Sequence, residues 1–345
     1  MGFGARRSKG RTSYLAALLC ALVLAAHASV ASAARLFSGG WKHGLLDLNW
    51  PRKGAKDGSP DREFDEDAET LIAQFQSVLY CDKHELLVSW TCKKCVGLPE
   101  LANFELQELI DDANNDLLAY TGYSPDLDSF LVVFRGTDAG SLYNWMENIK
   151  YARTTMDLPF PTDKPIRVHT GFWEAYAGSL LRPRVHASLQ ALQAKHGEKT
   201  VHLIGHSLGG ALATISAVDL HFSVETAVRP ERMHLHTFGS PRVGNEPFAH
   251  VVEAITNSTT RLTHNQDPVP SVPYQIAGFH HVATEVFTVD VTIPGGLRVL
   301  TLARVCDGSG EDPTCHDKMC AWGFCHSVTD HLKYLGVHMH ATENC

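Results

Sequence analysis

The sequence has no low-complexity tract, no internal repeat and no surplus of positive charge. It contains 30 Lys and Arg against 38 Asp and Glu, a formal net charge of -8. A chain of this charge lacks the excess of Lys and Arg that binding to nucleic acid or to an anionic membrane surface requires. We therefore expect apolar contact to bring the protein to any interface that it visits. The composition is globular, with 44% hydrophobic residues.

A hydrophobic run long enough to span a bilayer comfortably is also missing. The most apolar segment, residues 14–26, follows four basic residues and precedes the small residues Ala31-Ser32-Ala33. This order is typical of a secretory signal cleaved after about residue 33. A membrane anchor is the alternative, which we rank below the signal. Removal of the segment takes away four positive charges and moves the formal charge from -8 to about -12.

We divide the chain into the signal segment 1–33, an arm or propeptide 34–62 that we expect to be poorly ordered, and one domain 63–345. No linker divides the last of these. Within it, residues 65–81 have helical spacing behind an acidic start, and residues 103–110 and 115–123 predict strands. Residues 129–136 and 200–205 predict buried strands, and residues 171–197 predict a long helix kinked near Pro183. This alternation favours an α/β fold, with a mostly parallel sheet and helices on both faces.

Cysteine usage agrees with secretion. Once Cys20 leaves with the signal, an even number remains, which in an oxidising compartment predicts four disulfides. Cys92-Lys-Lys-Cys95 could be half of a zinc site, but no second half follows at suitable spacing, so a tight disulfide is the better interpretation. We expect no metal site. Asn257-Ser258-Thr259 is a sequon for N-glycosylation at Asn257.

The segment Gly205-His206-Ser207-Leu208-Gly209 lies between a predicted strand and a predicted helix. Gly-x-Ser-x-Gly in this context predicts a nucleophile elbow, a sharp turn that lifts the Ser207 hydroxyl clear of the sheet. Gly205 and Gly209 leave room for the neighbouring backbone. The Leu208 N–H at the start of the helix can stabilise an oxyanion. The alternative is a glycine-rich turn with an idle serine.

A serine hydroxyl needs a base, and the base needs a carboxylate that orients it. Asp267, at the end of an apolar strand and before rigid prolines, is the candidate acid. Its alternative is an ordinary turn aspartate. His206 is too close to Ser207 to be the base, and we expect it to pack under the elbow. From the residues alone, the base could be any of His280, His281, His316, His326, His331, His338 and His340.

Ordered motifs along residues 66–345 resemble the class 3 lipases, the filamentous-fungal triacylglycerol lipase family. The motifs are "YCDKHELLVSWTCKKC", "LVVFRGTDAGSLYNW", "VHTGFWEAY", "VHLIGHSLGGALATISAVDL", "FGSPRVGN", "RLTHNQDPVPSVP", "GFHHVATEVF" and "SVTDHLKYLG". The resemblance implies the α/β-hydrolase fold with a helical lid. It matches Ser207 to the nucleophile, Asp267 to the acid and His331 to the base.

The resemblance also assigns residues around the triad. Thr137 matches the second oxyanion position beside Leu208, where lipases of the family usually have Ser and related esterases can have Thr. Tyr80 and Val269 match residues that line the acyl groove. His280 and His281 match a segment near the site that is not the base.

The segment after Thr137 matches the lid, a short helix that covers the site and opens at an oil–water interface. Leu142, Tyr143, Trp145, Met146 and Ile149 could form its apolar face. Its polar face would hold Asn144, Glu147 and Asn148. The alternative is a fixed surface helix packed by Trp145.

The disulfides Cys81–Cys345, Cys92–Cys95 and Cys306–Cys315 are implied by the resemblance. Cys320 and Cys325 depart from the family pattern, and we pair them by elimination, which leaves exchange among the last four cysteines open. Because both precede His331, we expect their bond to stiffen the loop that carries the base.

The sequence thus predicts a secreted serine hydrolase that cleaves carboxylic esters of lipids at an oil–water interface, as a triacylglycerol lipase does. It needs no cofactor, no nucleic acid and no stable membrane span. A phospholipase A1 or a feruloyl-type esterase on the same scaffold is one alternative. A catalytically inactive secreted binding protein is another.

Overall fold

The computed structural model describes residues 64–292, 299–320, 325–340 and 345. The predicted signal and arm, residues 1–62, lie outside the described residues and stay predictions. Within these ranges, no helix combines the length and the apolar character needed to cross a membrane.

Helices and strands alternate along most of the described chain. The helices are α1 Glu66–Val78, α2 His84–Val88, α3 Pro99–Ala102, α4 Leu142–Asn148, α5 Thr170–Ala177, α6 Leu181–His196, α7 Leu208–Phe222, α8 Glu246–Ile255, α9 His316–Met319 and α10 Val328–His331. The strands are β1 Glu105–Asp112, β2 Leu117–Ser124, β3 Ser129–Phe134, β4 Arg153–Thr155, β5 Arg167–His169, β6 Thr200–His206, β7 Met233–Phe238, β8 Ser258–His264, β9 Glu285–Thr292, β10 Val299–Val305, β11 Lys333–Tyr334 and β12 Val337–His338.

The main sheet has the strand order β1-β2-β3-β6-β7-β8-β9-β10. Strands β3, β6, β7, β8 and β9 pair in parallel, whereas β1 and β2 at one edge and β10 at the other pair antiparallel. The predicted mostly parallel sheet is therefore confirmed. Because parallel strands end at the same edge, the loops after β3, β6, β7 and β8 converge there.

Both faces of the sheet are covered. Alternate residues of β3 belong to different apolar clusters, Phe130 and Val132 on one face and Leu131 and Val133 on the other. This is the period of two that a strand imposes. Side chains of α5, α6, α7 and α8 join the first cluster, and side chains of α1 join the second. The predicted helices on both faces are confirmed.

Residues 171–197 form two helices where a kinked one was predicted. Helix α5 ends before Gly178, and α6 begins at Leu181. Pro183 lies in the first turn of α6, where backbone N–H groups have no intrahelical partner to lose. The prediction of a kink at Pro183 was wrong because the proline sits near the start of a helix.

The structure contains the disulfides Cys81–Cys345, Cys92–Cys95, Cys306–Cys315 and Cys320–Cys325. These are the pairs expected from the resemblance and from elimination. The first joins the chain just after α1 to the last residue, across a sequence separation of 264. The last two bracket α9 near the end of the chain.

Candidate active site

Ser207 lies between β6 and α7, with a backbone φ of 58° that non-glycine residues rarely adopt. Glycine is required on both sides of it. A Cβ on Gly205 would lie 2.1 Å from the Gly209 carbonyl oxygen, and a Cβ on Gly209 would lie 2.2 Å from the Phe134 carbonyl oxygen. The turn therefore has the strained geometry of a nucleophile elbow, at the edge where the parallel strands end.

Asp267 and His331 meet at the same edge. Asp267 is on the loop after β8 and His331 ends α10, and both side chains are buried. The His331 Nδ1–H donates to Asp267 Oδ2 at 2.8 Å. The hydroxyl of Tyr334 donates to the same oxygen, and the Val269 N–H donates to Oδ1 at 2.8 Å. The carboxylate is thus held by three donors from two segments of the chain.

These contacts decide the charge of the acid. Burial raises the pKa of Asp267, but the charge of His331 and the hydrogen bonds from His331 and Tyr334 outweigh burial, so the net pKa lies below its usual value. Burial and the Asp267 charge raise the pKa of Tyr334 well above its usual value. Asp267 is therefore an anion and Tyr334 a protonated donor at neutral pH.

Among the described residues, the buried side-chain atoms without a hydrogen-bond partner include the Oγ of Ser207 and the Nε2 of His331, both at this edge. Because the proton on Nδ1 is the one donated to Asp267, Nε2 holds a lone pair whenever the ring carries a single proton. An unpaired buried polar atom costs free energy and calls for an explanation. A hydroxyl and a free imidazole lone pair at one site are the donor and acceptor of a general-base step.

The turn after β3 passes beside Ser207. A Cβ on Gly136 would lie 2.7 Å from the Ser207 Cβ, so the half-buried Thr137, one residue further on, is next to the elbow. Leu208 opens α7, and N–H groups of a first helical turn lack intrahelical partners. The turn and the helix start therefore supply backbone donors and a positive dipole end next to the serine.

A line of hydrogen bonds runs behind these groups. The Gly136 N–H donates to the Tyr80 oxygen at 3.1 Å, the Tyr80 hydroxyl donates to His206 Nδ1, and the His206 Nε2–H donates to the His331 carbonyl at 2.7 Å. Burial, then the neighbouring His331, lowers the pKa of His206 to about 3. Burial also raises the pKa of Tyr80. Both groups are neutral, which fixes every donor along the line.

These positions refine the sequence assignments. His206 packs against the His331 ring, with the centroids 4.4 Å apart. Tyr80 and Val269, expected to line the acyl groove, are both buried. They contribute hydrogen bonds to Gly136, His206 and Asp267. Sequence reasoning missed Tyr334, although it lies three residues after His331 in the same motif.

Helix α4 corresponds to the predicted lid. Leu142 is buried, and Trp145, Met146 and Ile149 are half-buried. The ring of Trp145 stacks on Phe172 with the centroids 6.2 Å apart. Tyr143, placed on the apolar face from sequence, is 61% exposed. That expectation was wrong because the Tyr143 hydroxyl bonds to Glu147 along the polar side of the helix.

The remaining candidates lie apart from the reacting atoms. His281 Nε2 bonds to the Pro270 carbonyl, and His280 Nε2 to the Ser309 carbonyl. Asn257 is exposed, as a glycosylation site requires. Among the described residues, the groups with metal-ligand geometry each include cysteines that are in disulfides.

The sheet, the elbow and the Asp–His pair define an α/β-hydrolase. The model of the family "Lipase (class 3)" matches residues 131–277. The Rhizopus niveus protein named "Lipase" is 28% identical over 277 residues, which cover 78% of this chain and 63% of that protein. The "Secreted mono- and diacylglycerol lipase 1" of Fusarium solani is 33% identical over 168 residues, 48% of this chain and 46% of that protein.

Solved structures agree. The lipase of Rhizopus microsporus var. chinensis superimposes with a TM-score of 0.67 at 25% identity, over 79% of this chain and 88% of that one. The chain is thus similar to the class 3 lipases, both in the segment that the family model matches and in its overall fold. It spans 63% of the length of the curated Rhizopus lipases that it matches.

Proposed function

We propose that this protein is a secreted hydrolase that cleaves carboxylic esters of acylglycerols through an acyl-enzyme at Ser207. The observation that carries the proposal is the pair of unpartnered buried atoms, Ser207 Oγ and His331 Nε2, behind which Asp267 holds His331. Secretion is supported by the disulfides and by the printed name of the Fusarium solani relative.

The reaction uses side chains and backbone of this chain. Ser207 Oγ attacks the ester carbonyl while His331 Nε2 takes its proton, and Asp267 stabilises the imidazolium. N–H groups of Thr137 and Leu208, with the Thr137 hydroxyl, stabilise the tetrahedral oxyanion. His331 returns the proton to the leaving alcohol. Water then repeats the cycle on the acyl-enzyme and releases a fatty acid.

Substrate entry requires a movement, because Ser207 is 0% exposed. Helix α4 is the proposed lid. Its half-buried Trp145, Met146 and Ile149 would be offered to a lipid surface when it swings away. This supports an insoluble lipid ester as the substrate, since contact with lipid would stabilise the open form.

A fluorophosphonate probe tests the nucleophile. We expect the probe to label the wild type and to fail with Ser207→Ala, whose hydrolysis of p-nitrophenyl butyrate should fall by about 10⁶-fold. Ser216→Ala is the matched control, because Ser216 is a buried serine in α7, the helix that begins directly after Ser207. Labelling that survives in Ser207→Ala would refute the proposed nucleophile.

A substrate panel tests the lipid. We expect emulsified triolein to be hydrolysed, with a rate that rises when the solution first becomes saturated. Faster cleavage of phosphatidylcholine or of methyl ferulate would instead favour one of the two esterase alternatives. No cleavage and no labelling would favour the inactive binding protein.

A further inference from the structure

The main-chain carbonyl of Asp267 has a partner outside the triad. Buried His316 donates its Nε2–H to this oxygen at 2.8 Å. Burial lowers the pKa of His316, so the ring is neutral at the pH where a serine hydrolase works. The contact adds a fourth held point to Asp267, after the three donors on its carboxylate.

His316 is itself fixed on every side. It directly follows Cys315, which is bonded to Cys306, and Cys320, bonded to Cys325, ends the short helix α9. Its backbone N–H donates to Glu285 Oε1 at 3.2 Å. Glu285 in turn pairs with the fully buried Arg261 at 3.0 Å. Because its backbone is held at these points, His316 presents its ring to Asp267 from a fixed position.

The Cys320–Cys325 disulfide is part of the same contact. Cys320 Sγ lies 3.1 Å from His316 Nε2 and 3.8 Å from the Asp267 carbonyl oxygen. From sequence, this disulfide is expected to stiffen the loop of the base, which stays a prediction. The contacts of Cys320 Sγ add the acid and the histidine that holds the acid.

The hydrogen bond from His316 limits the rotation of the peptide that joins Asp267 to Pro268. Asp267 precedes Pro268, which has no N–H to anchor the peptide that joins them. Without His316, the carbonyl of that peptide would lose a buried partner and could turn, carrying the carboxylate with it. A shift of about 1 Å in a catalytic group can cost about a hundredfold in rate.

We propose that His316, fixed by the Cys320–Cys325 disulfide and its neighbours, is a positioning residue that sets the carboxylate of Asp267 against His331. The proposal rests on the proposed function. It predicts that loss of the Nε2 donor lowers kcat and leaves KM unchanged, because the ester-binding surface does not include His316.

The experiment compares His316→Leu and His316→Gln with wild type on p-nitrophenyl butyrate. We expect kcat to fall about tenfold in His316→Leu, with KM within about twofold of wild type. His316→Gln should recover part of the lost kcat, because its side-chain amide can donate to the same carbonyl. His221→Gln is the matched control, since His221 also bonds to a main-chain carbonyl, that of Val228, on another loop. It should keep wild-type kcat.

A second arm does not depend on the histidine variants folding. Cys320→Ser/Cys325→Ser should lower kcat severalfold, whereas Cys92→Ser/Cys95→Ser should not. The His331 Nδ1 proton, seen at low field by NMR, should broaden or shift in the first pair and in His316→Leu only. Folded His316 variants and a Cys320/Cys325 variant with unchanged kcat and proton signal would overturn the proposal. Absence of activity and of fluorophosphonate labelling in the wild type would instead overturn the proposed function.

Discussion

Two regions of the molecule are attached to the rest of the domain by different kinds of contact. Polar contacts hold the loop that carries Asp267, and apolar contacts hold helix α4. Arg242, which is buried, donates to the carbonyls of Pro270 and Ser271 in the acid loop and pairs with Glu311 at 2.8 Å. Buried polar contacts of this kind leave little freedom.

Helix α4 packs mainly through apolar side chains, with Trp145 stacked on Phe172. Within the described part of the chain, the side-chain hydrogen bonds of α4 join its own residues, Asn148 to the Asn144 carbonyl and Tyr143 to Glu147. Apolar packing of this kind can be exchanged for contact with another apolar surface. The difference teaches that the acid loop is attached through buried polar contacts and α4 through apolar ones, so the lid movement that we propose would have to break only apolar packing.

Of the changes that test this comparison, the largest loss of activity should come from replacing Asp267 in the loop that polar contacts hold. In Asp267→Asn the amide cannot stabilise the imidazolium and favours the wrong tautomer of His331, so kcat should fall by about 10⁴-fold. The rate on p-nitrophenyl butyrate and the far-ultraviolet circular dichroism spectrum check this. Asp157→Asn, at an exposed position, is the control. A loss below tenfold would mean that Asp267 is not the orienting acid.

A smaller effect should appear in the pH dependence of stability. Burial, then the charges of Arg261 and Arg242, holds the pKa of His281 well below its usual 6.5. As the pH falls below 6.5, His281 binds a proton in the unfolded chain but stays neutral in the folded chain. The stability that depends on neutral His281 is therefore present above pH 6.5 and is lost as the pH falls below that value.

The change to test is His281→Gln, which removes that titration. Between pH 7 and pH 5 the free energy of unfolding should fall by about 2 kcal/mol less than in wild type, measured with urea at both values. Gln107→Asn, at an exposed position with no titrating group, should keep the wild-type dependence. Identical pH dependence in His281→Gln and wild type would contradict the assignment of a buried neutral ring.

The smallest effect should come from loosening α4. Trp145→Ala removes the stacking on Phe172 and part of the apolar packing of the closed form. Hydrolysis of soluble p-nitrophenyl butyrate should rise about fivefold, because the open form gains population. Tyr143→Ala, which alters an exposed side chain of the same helix, should leave that rate unchanged. Equal rates in wild type and Trp145→Ala would favour a fixed surface helix.

Most of the fold could be predicted from the sequence, because the patterns that specify its strands and turns lie within short segments. The buried run of β3 and the Gly-x-Ser-x-Gly turn each specify their own backbone. The break between α5 and α6 was missed, since a proline early in a helix reads like a kink until the helix start is known.

The candidate site could be predicted from the sequence only in part. Ser207 and Asp267 follow from their turns, whereas the base could be chosen among several histidines only by resemblance. Tyr334 and His316 were not found as supports of the acid, because their roles depend on contacts between segments 67 and 49 residues away from Asp267. Such contacts are set by packing of the whole domain, which no short motif encodes.

The complete burial of Ser207 gives the protein a latent state. If the proposed function holds, small soluble esters and inhibitors reach this nucleophile only in the fraction of molecules in which helix α4 has moved away, so released protein would attack small esters nearby only slowly. Full activity would then require a lipid phase, and the place where lipid is present would control the reaction more than the amount of protein does.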